Sequence, residues 1–185
     1  MKLFLSFITA GCLIIIVNAC NSSSSGKAVE ATFCDTTCNN DTLHFESGEK
    51  DKSFVTITMK NCRPDSVTWG SEKMITYRQL PFAELVGKTL PINKNFVRAK
   101  VFDGYVWLLI NECINGQGYV VKLPFNDKEN IFRKNTAFNP MDRKYTIDES
   151  IIAHTDKGNL FMEQMATGKK AMMTFGEPLA MEYSD

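Results

Sequence analysis

A chain of 185 residues with 21 basic and 21 acidic side chains carries no formal net charge. It has neither the basic excess of a nucleic-acid-binding surface nor the like-charge block of a solvated tail. With 44% hydrophobic residues it can build a real core, and its six cysteines make the redox compartment the first question.

Met1 and Lys2 give a short positive start, and residues 3–17 (LFLSFITAGCLIIIV) are uncharged and apolar, a stretch of signal-peptide length and short for a bilayer-spanning helix. The stretch ends in Val17-Asn18-Ala19-Cys20. This resembles the lipobox of bacterial lipoproteins: an aliphatic residue at minus three, a small one at minus one, then the cysteine. Asn18 departs from the usual small residue at minus two. Cys12 is a poorer site, because Thr9 stands three residues before it and the best apolar run follows it. The resemblance implies a cleaved leader of residues 1–19 and a mature chain beginning at a lipidated Cys20, acylated in the palmitate manner. It spans about twenty residues and implies nothing about the rest.

Residues 20–30 then form the tether, with the polar run 21–26 (NSSSSG) lacking any apolar side chain to bury. Enteric lipoproteins kept at the inner membrane carry Asp after the cysteine. Asn21 stands here, and serines replace the acidic run of many surface-exposed Bacteroidota lipoproteins. The implied location is the cell envelope, at the outer membrane facing the periplasm, with the membrane as partner through the lipid and an envelope protein or glycan as the second partner. Nucleic acid is excluded by charge.

With Cys12 in the leader and Cys20 lipidated, Cys34, Cys38, Cys62 and Cys113 remain, an even number suited to two disulfides in an oxidising periplasm. Three pairings are open. Cys62 and Cys113 each close a strand-like run, so a bridge between them is expected, leaving Cys34 and Cys38 to close a small loop. The Cys34-Asp35-Thr36-Thr37-Cys38 spacing also resembles the CxxxC of thioredoxin-fold copper chaperones. That resemblance implies a soft-metal or thiol-redox site using Cys34, Cys38 and His44, or His154. Asn39 replaces the usual Pro, and no strand-helix-strand pattern surrounds the motif, so a disulfide is preferred and no cofactor is expected. Zinc lacks a second close cysteine pair and paired histidines.

From residue 31 to 185 the reading is a single β-rich domain. Leu43 and Phe45, then Val55, Ile57 and Met59, then Val67 and Trp69 alternate with polar residues at period two, as half-buried strands do. Residues 73–80 extend again. Residues 82–87 (FAELVG) make one helical turn before Pro91 forces extension. Val97, Ala99 and Val101 lead to Asp103-Gly104, a tight-hairpin dipeptide tolerant of positive φ. Residues 105–110 (YVWLLI) are apolar on both faces, as a central strand covered on each side must be.

Asn115-Gly116 turns the chain into a strand lined by Tyr119, Val121, Leu123 and Phe125. Residues 126–143 read as a long loop or short interrupted strand. Ile151-Ile152-Ala153, a turn at Asp156-Lys157-Gly158, residues 160–165, a turn at Thr167-Gly168, and Ala171, Met173 and Phe175 complete a second hairpin set, and residues 179–183 begin another strand. The two sets repeat at an offset of about fifty residues. Residues 158–175 also resemble paired strands of a quinoprotein-type propeller blade joined by a TGK turn. Four blades do not fit the mature chain. The expected fold is all-β, an antiparallel meander or sandwich of two sheets with propeller-blade-like hairpins and little helix.

Catalytic signals are sparse. Thr167-Gly168-Lys169-Lys170 lacks the first glycine and the magnesium-binding hydroxyl of a phosphate loop, and reads as a hairpin turn. His44 and His154 lie far apart, and both read as solvent-facing strand residues. Asp148 and Glu149 read as a solvated strand end. Trp69, Tyr77, Tyr105, Trp107 and Tyr119 read as core before ligand platform. Asp35-Thr36-Thr37, Asp41-Thr42-Leu43 and Asp65-Ser66-Val67 resemble the O-glycosylation acceptor of Bacteroidota envelope proteins. The functional expectation is a lipid-anchored domain that binds or scaffolds, with no catalytic residues. The alternatives are the soft-metal or redox site and an enzyme acting on envelope polymers.

Overall fold

A computed structural model describes residues 33–35, 37–48, 52–73, 76–136 and 150–176. The leader, Cys20, the tether, Asp148, Glu149 and the strand expected over residues 179–183 lie outside these. The described part is β-rich and antiparallel. The first sheet is a meander of β1 (Leu43–Glu46), β2 (Ser53–Lys60), β3 (Arg63–Ser71) and β4 (Thr76–Pro81) in sequence order. A short helix, α1 (Phe82–Val86), leads to a second four-stranded meander of β5 (Ile92–Val101), β6 (Tyr105–Glu112), β7 (Gly118–Pro124) and β8 (Phe132–Asn135). The third sheet has β9 (Ile151–Asp156), β10 (Asn159–Gln164) and β11 (Lys170–Thr174), with β10 in the middle.

The alternation of β2 and β3 decides how the first sheet packs. Val55, Ile57, Val67 and Trp69 share one face and are fully buried, while their neighbours Phe54, Thr56, Thr58, Ser66 and Thr68 face outward. The inner face meets Val97, Val106, Leu108, Ile110, Tyr119, Val121 and Leu123 of the second sheet. Each such aliphatic side chain, once buried, stabilises by about 1.5–3 kcal/mol. The Trp69 indole N–H donates to the Pro124 carbonyl at 2.9 Å, so the largest buried ring has a partner for its polar atom.

The two apolar faces of β6 explain why there are three sheets where two were expected. Val106, Leu108 and Ile110 point to the first sheet, and Trp107 and Leu109 point the other way with Val120 of the neighbouring β7, where Ile152 and Met165 pack on them. The second sheet is therefore the middle layer. Among the described residues a bridge from Thr136 to His154 links its β8 side to β9 of the third sheet.

Local chemistry accounts for the connections. Gly87 ends α1 at φ 83°, a left-handed cap that glycine adopts without a Cβ penalty, and the helix buries Phe82, Leu85 and Val86. The β9–β10 turn has Lys157 and Gly158 at φ 49° and 77°, and the β2–β3 turn has Asn61 and Cys62 at φ 52° and 63°, both of the primed-hairpin kind. Asp103-Gly104 does join β5 to β6, with the Phe102 N–H donating to Tyr105, yet neither residue adopts positive φ. Within residues 126–143 the described part holds the short strand β8. Among the described residues, no helix is long and apolar enough to cross a membrane.

Candidate functional site

The cysteines pair differently from the expectation. Cys34 bonds to Cys113, and Cys38 to Cys62, with Cα–Cα distances of 4.7 and 4.6 Å. Cys62 ends the β2 run and Cys113 the β6 run, but these strands belong to different sheets, and the segment carrying Cys34 and Cys38 reaches both. The Phe33 N–H donates to the Cys113 carbonyl at 2.8 Å, the Asn93 amide to the Asp35 carbonyl at 2.9 Å, and the Cys62 N–H to the Asn40 side chain at 2.9 Å. The result is a strap fastened covalently to both four-stranded sheets. Two disulfides of this kind belong to an oxidising compartment outside the cytoplasm.

The same bonds bear on the soft-metal arrangement of Cys34, Cys38 and His44. Both sulfurs are consumed by distant partners, so neither is a thiolate ligand. His44 instead shares a 2.8 Å hydrogen bond with the Thr56 hydroxyl and lies 3.7 Å from Glu46, half exposed as a solvent-facing strand residue. Among the described residues, no three His, Cys, Asp or Glu side chains converge on a metal position. Asp35 is held below the usual carboxylate range by hydrogen bonds from the Thr37 hydroxyl and N–H.

His154 is not solvent-facing. It is 3% exposed, and neither ring nitrogen has a hydrogen-bond partner. Its position on β9 puts it on the same face as Ile152, against the middle sheet, with Phe161 stacked on it at 5.3 Å and Phe132 edge-on at 5.2 Å. Burial pushes its pKa below the ordinary 6.5; Glu163 opposes this, and Lys170 and Lys134 reinforce it. The sequence misleads here because Ile151, Ile152 and Ala153 leave no clean polar face on β9.

Around this ring lie two ion pairs. Lys170 sits 2.9 Å from the buried Glu163 carboxylate, and Lys134 sits 2.9 Å from Asp156, whose pKa is lowered chiefly by that contact. Lys122 lies over the Tyr105 ring at 4.1 Å and the Trp107 ring at 5.6 Å, and the Tyr105 hydroxyl donates to the Met165 carbonyl at 2.7 Å. The cluster lies between the middle and third sheets; each of its two carboxylates is paired with a lysine, and Lys122 rests on aromatic faces.

The aromatic residues divide sharply. Trp69, Trp107 and Tyr119 are buried core, and Tyr105 is half-buried with a bonded hydroxyl. Tyr77 is 55% exposed. It lies on the outer face of the first sheet, where its ring meets Phe54 at 5.6 Å, and Phe54 meets His44 at 5.9 Å and 27°. Register creates this row: Phe54 on β2 pairs with Gly70 on β3, which pairs with Tyr77 on β4. With no side chain at Gly70, the two flanking rings close over it.

No protein-family model matches the chain, and no curated protein does. The same outer face carries a lattice of neutral hydrogen-bonding groups. Thr58 and Ser66 hydroxyls lie 2.6 Å apart, and the Gln79 amide donates to Ser66 at 3.3 Å. Of the three glycosylation-like triplets, Ser66 is engaged in this cross-strand contact, Thr42 is exposed just before β1, and Thr36 lies outside the described residues. Thr167-Gly168 is a hairpin turn as expected, with Gly168 at φ 67°. Sequence reasoning missed Phe54 and Gly70; the one available signal was a glycine in an otherwise regular strand.

Proposed function

We propose that this protein is a lipid-anchored binding protein of the bacterial envelope, held by Cys20 at the outer membrane and facing the periplasm, with the outer face of its first sheet as the binding surface. The lipobox-like VNAC, the polar run behind it and the two disulfides support the anchor and the compartment. The His44–Phe54–Tyr77 row, with Tyr77 exposed and Phe54 partly so, carries the assignment of the surface. Aromatic side chains offer large, rigid contact area, and most others in this fold are turned inward.

A photo-crosslinking residue substituted at Tyr77 tests this in intact envelopes. The reading expects a discrete heavier species that is absent when the same residue replaces the exposed Ile114 at the far turn. Equal or no crosslinking from the two positions overturns the assignment of the surface. Mass spectrometry of the mature amino terminus tests the anchor. A diacylglyceryl group on Cys20 supports it, and an unmodified chain starting at Met1 refutes it.

A further inference from the structure

Three rings crossing a sheet face among hydroxyls and an amide point to a particular ligand chemistry. Each Thr or Ser hydroxyl offers one donor and two acceptor lone pairs. The contacts of His44 with Thr56, Thr58 with Ser66, and Gln79 with Ser66 use part of that capacity and orient the groups. The remaining capacity faces outward and suits a ligand that both donates and accepts, as alcohol groups do. The rings Phe54 and Tyr77 supply an apolar surface for C–H groups, converging where Gly70 leaves room.

Charge narrows the choice further. Beside the ring row the described ionisable groups include His44 and Glu46, 3.7 Å apart at the β1 edge, and Lys52 and Glu72, which neutralise one another at 3.1 Å beside the strand ends; the exposed Lys60 and Arg63 stand at the β2–β3 turn, at the other end of the sheet. Beside the Phe54–Tyr77 pair an anionic ligand finds Lys52 already compensated by Glu72. A hydrophobic protein partner finds little, because Phe54 is partly covered and its neighbours are Thr, Ser and Gln.

We infer that the outer face of the first sheet binds a neutral glycan, stacking a pyranose ring on the Phe54–Tyr77 pair and bonding its hydroxyls to Thr56, Thr68 and Gln79. This rests on the binding reading above and adds the ligand class. A sugar ring presents C–H groups on one face and hydroxyls around its rim, which matches an aromatic pair bordered by hydroxyl and amide side chains.

The test is affinity electrophoresis of the detergent-solubilised full chain in native gels containing mixed-linkage β-glucan, xyloglucan, galactomannan or amylopectin, with alginate as the polyanionic comparison. Retardation by one or more neutral polymers and not by alginate is expected. Tyr77→Ala, at an exposed position that leaves the core intact, weakens it about 10-fold. Phe54→Ala with Tyr77→Ala abolishes it, with unchanged thermal unfolding of the single variant as the folding control. Met172→Ser, on the third sheet, leaves it unchanged. No retardation by any neutral polymer, retardation by alginate alone, or retardation indifferent to Tyr77→Ala overturns the inference. If crosslinking from Tyr77 then yields a protein adduct, the binding reading stands and the ligand class falls; if crosslinking fails as well, both fall.

Discussion

Replacing His154 by leucine is expected to make the protein more stable. The ring is buried between Phe132 and Phe161 with both nitrogens unpartnered. A buried donor or acceptor left unsatisfied costs about 1–3 kcal/mol. Leucine removes both polar atoms at similar volume and forfeits two ring contacts, each about 0.5–1.5 kcal/mol. The balance is a gain of about 1 kcal/mol at neutral pH.

The pH dependence sharpens the test. Because burial depresses the His154 pKa below 6.5, the unfolded chain takes up the proton first on acidification, and the native state is the one that resists it. Below pH 6.5 the unfolded state therefore binds more protons, and wild-type stability falls as pH drops, by up to about 1.4 kcal/mol per pH unit. His154→Leu removes that slope. Urea unfolding followed by tryptophan fluorescence at pH 7.5 and 5.5 measures both quantities. A variant less stable than wild type by more than about 1 kcal/mol at pH 7.5, with the acid slope retained, would show that the nitrogens are satisfied and the reasoning wrong.

Gly118→Ala places a Cβ against Thr136 Oγ1 at the crossing that ties the middle sheet to the third, and a loss of about 1–3 kcal/mol is expected, partly recovered with Thr136→Ala in a double-mutant cycle. Replacing Cys34 and Cys113 together by serine opens a bridge spanning 79 residues, against 24 for Cys38–Cys62; chain entropy puts the losses at about 4.5 and 3.5 kcal/mol, read by denaturation after non-reducing peptide mapping has confirmed the pairs. Lys157→Asn, at φ 49° in the β9–β10 turn, should raise stability by about 0.5–1 kcal/mol by relieving a left-handed residue; no gain in the urea midpoint would contradict the turn assignment.

Period-two alternation made β2, β3, β5 and β7 legible, and the doubly apolar run at β6 announced a strand covered on both sides. The helical turn at residues 82–87 was legible because Pro91 forces extension soon after it; the left-handed cap at Gly87 is what the structure adds. The division into sheets was not, since period two says that a strand has two faces and not which strands cover them. The disulfide pairing failed for the same reason: which strand ends lie together is settled by sheet packing. His154 and the Tyr77 row depended on cross-strand register, and nothing local in β3 says that Gly70 stands between two rings.

The cystine strap gives the molecule a mechanical direction. Tension entering the described domain from its amino-terminal side is delivered at Cys34 to Cys113, beside the end of the central strand, and a cut in that bond passes the load to Cys38 and the β2–β3 turn. Neither route pulls an edge strand off its neighbour one hydrogen bond at a time. Such a load reaches the two four-stranded sheets through covalent bonds, and reduction of both disulfides leaves the strap held by hydrogen bonds alone.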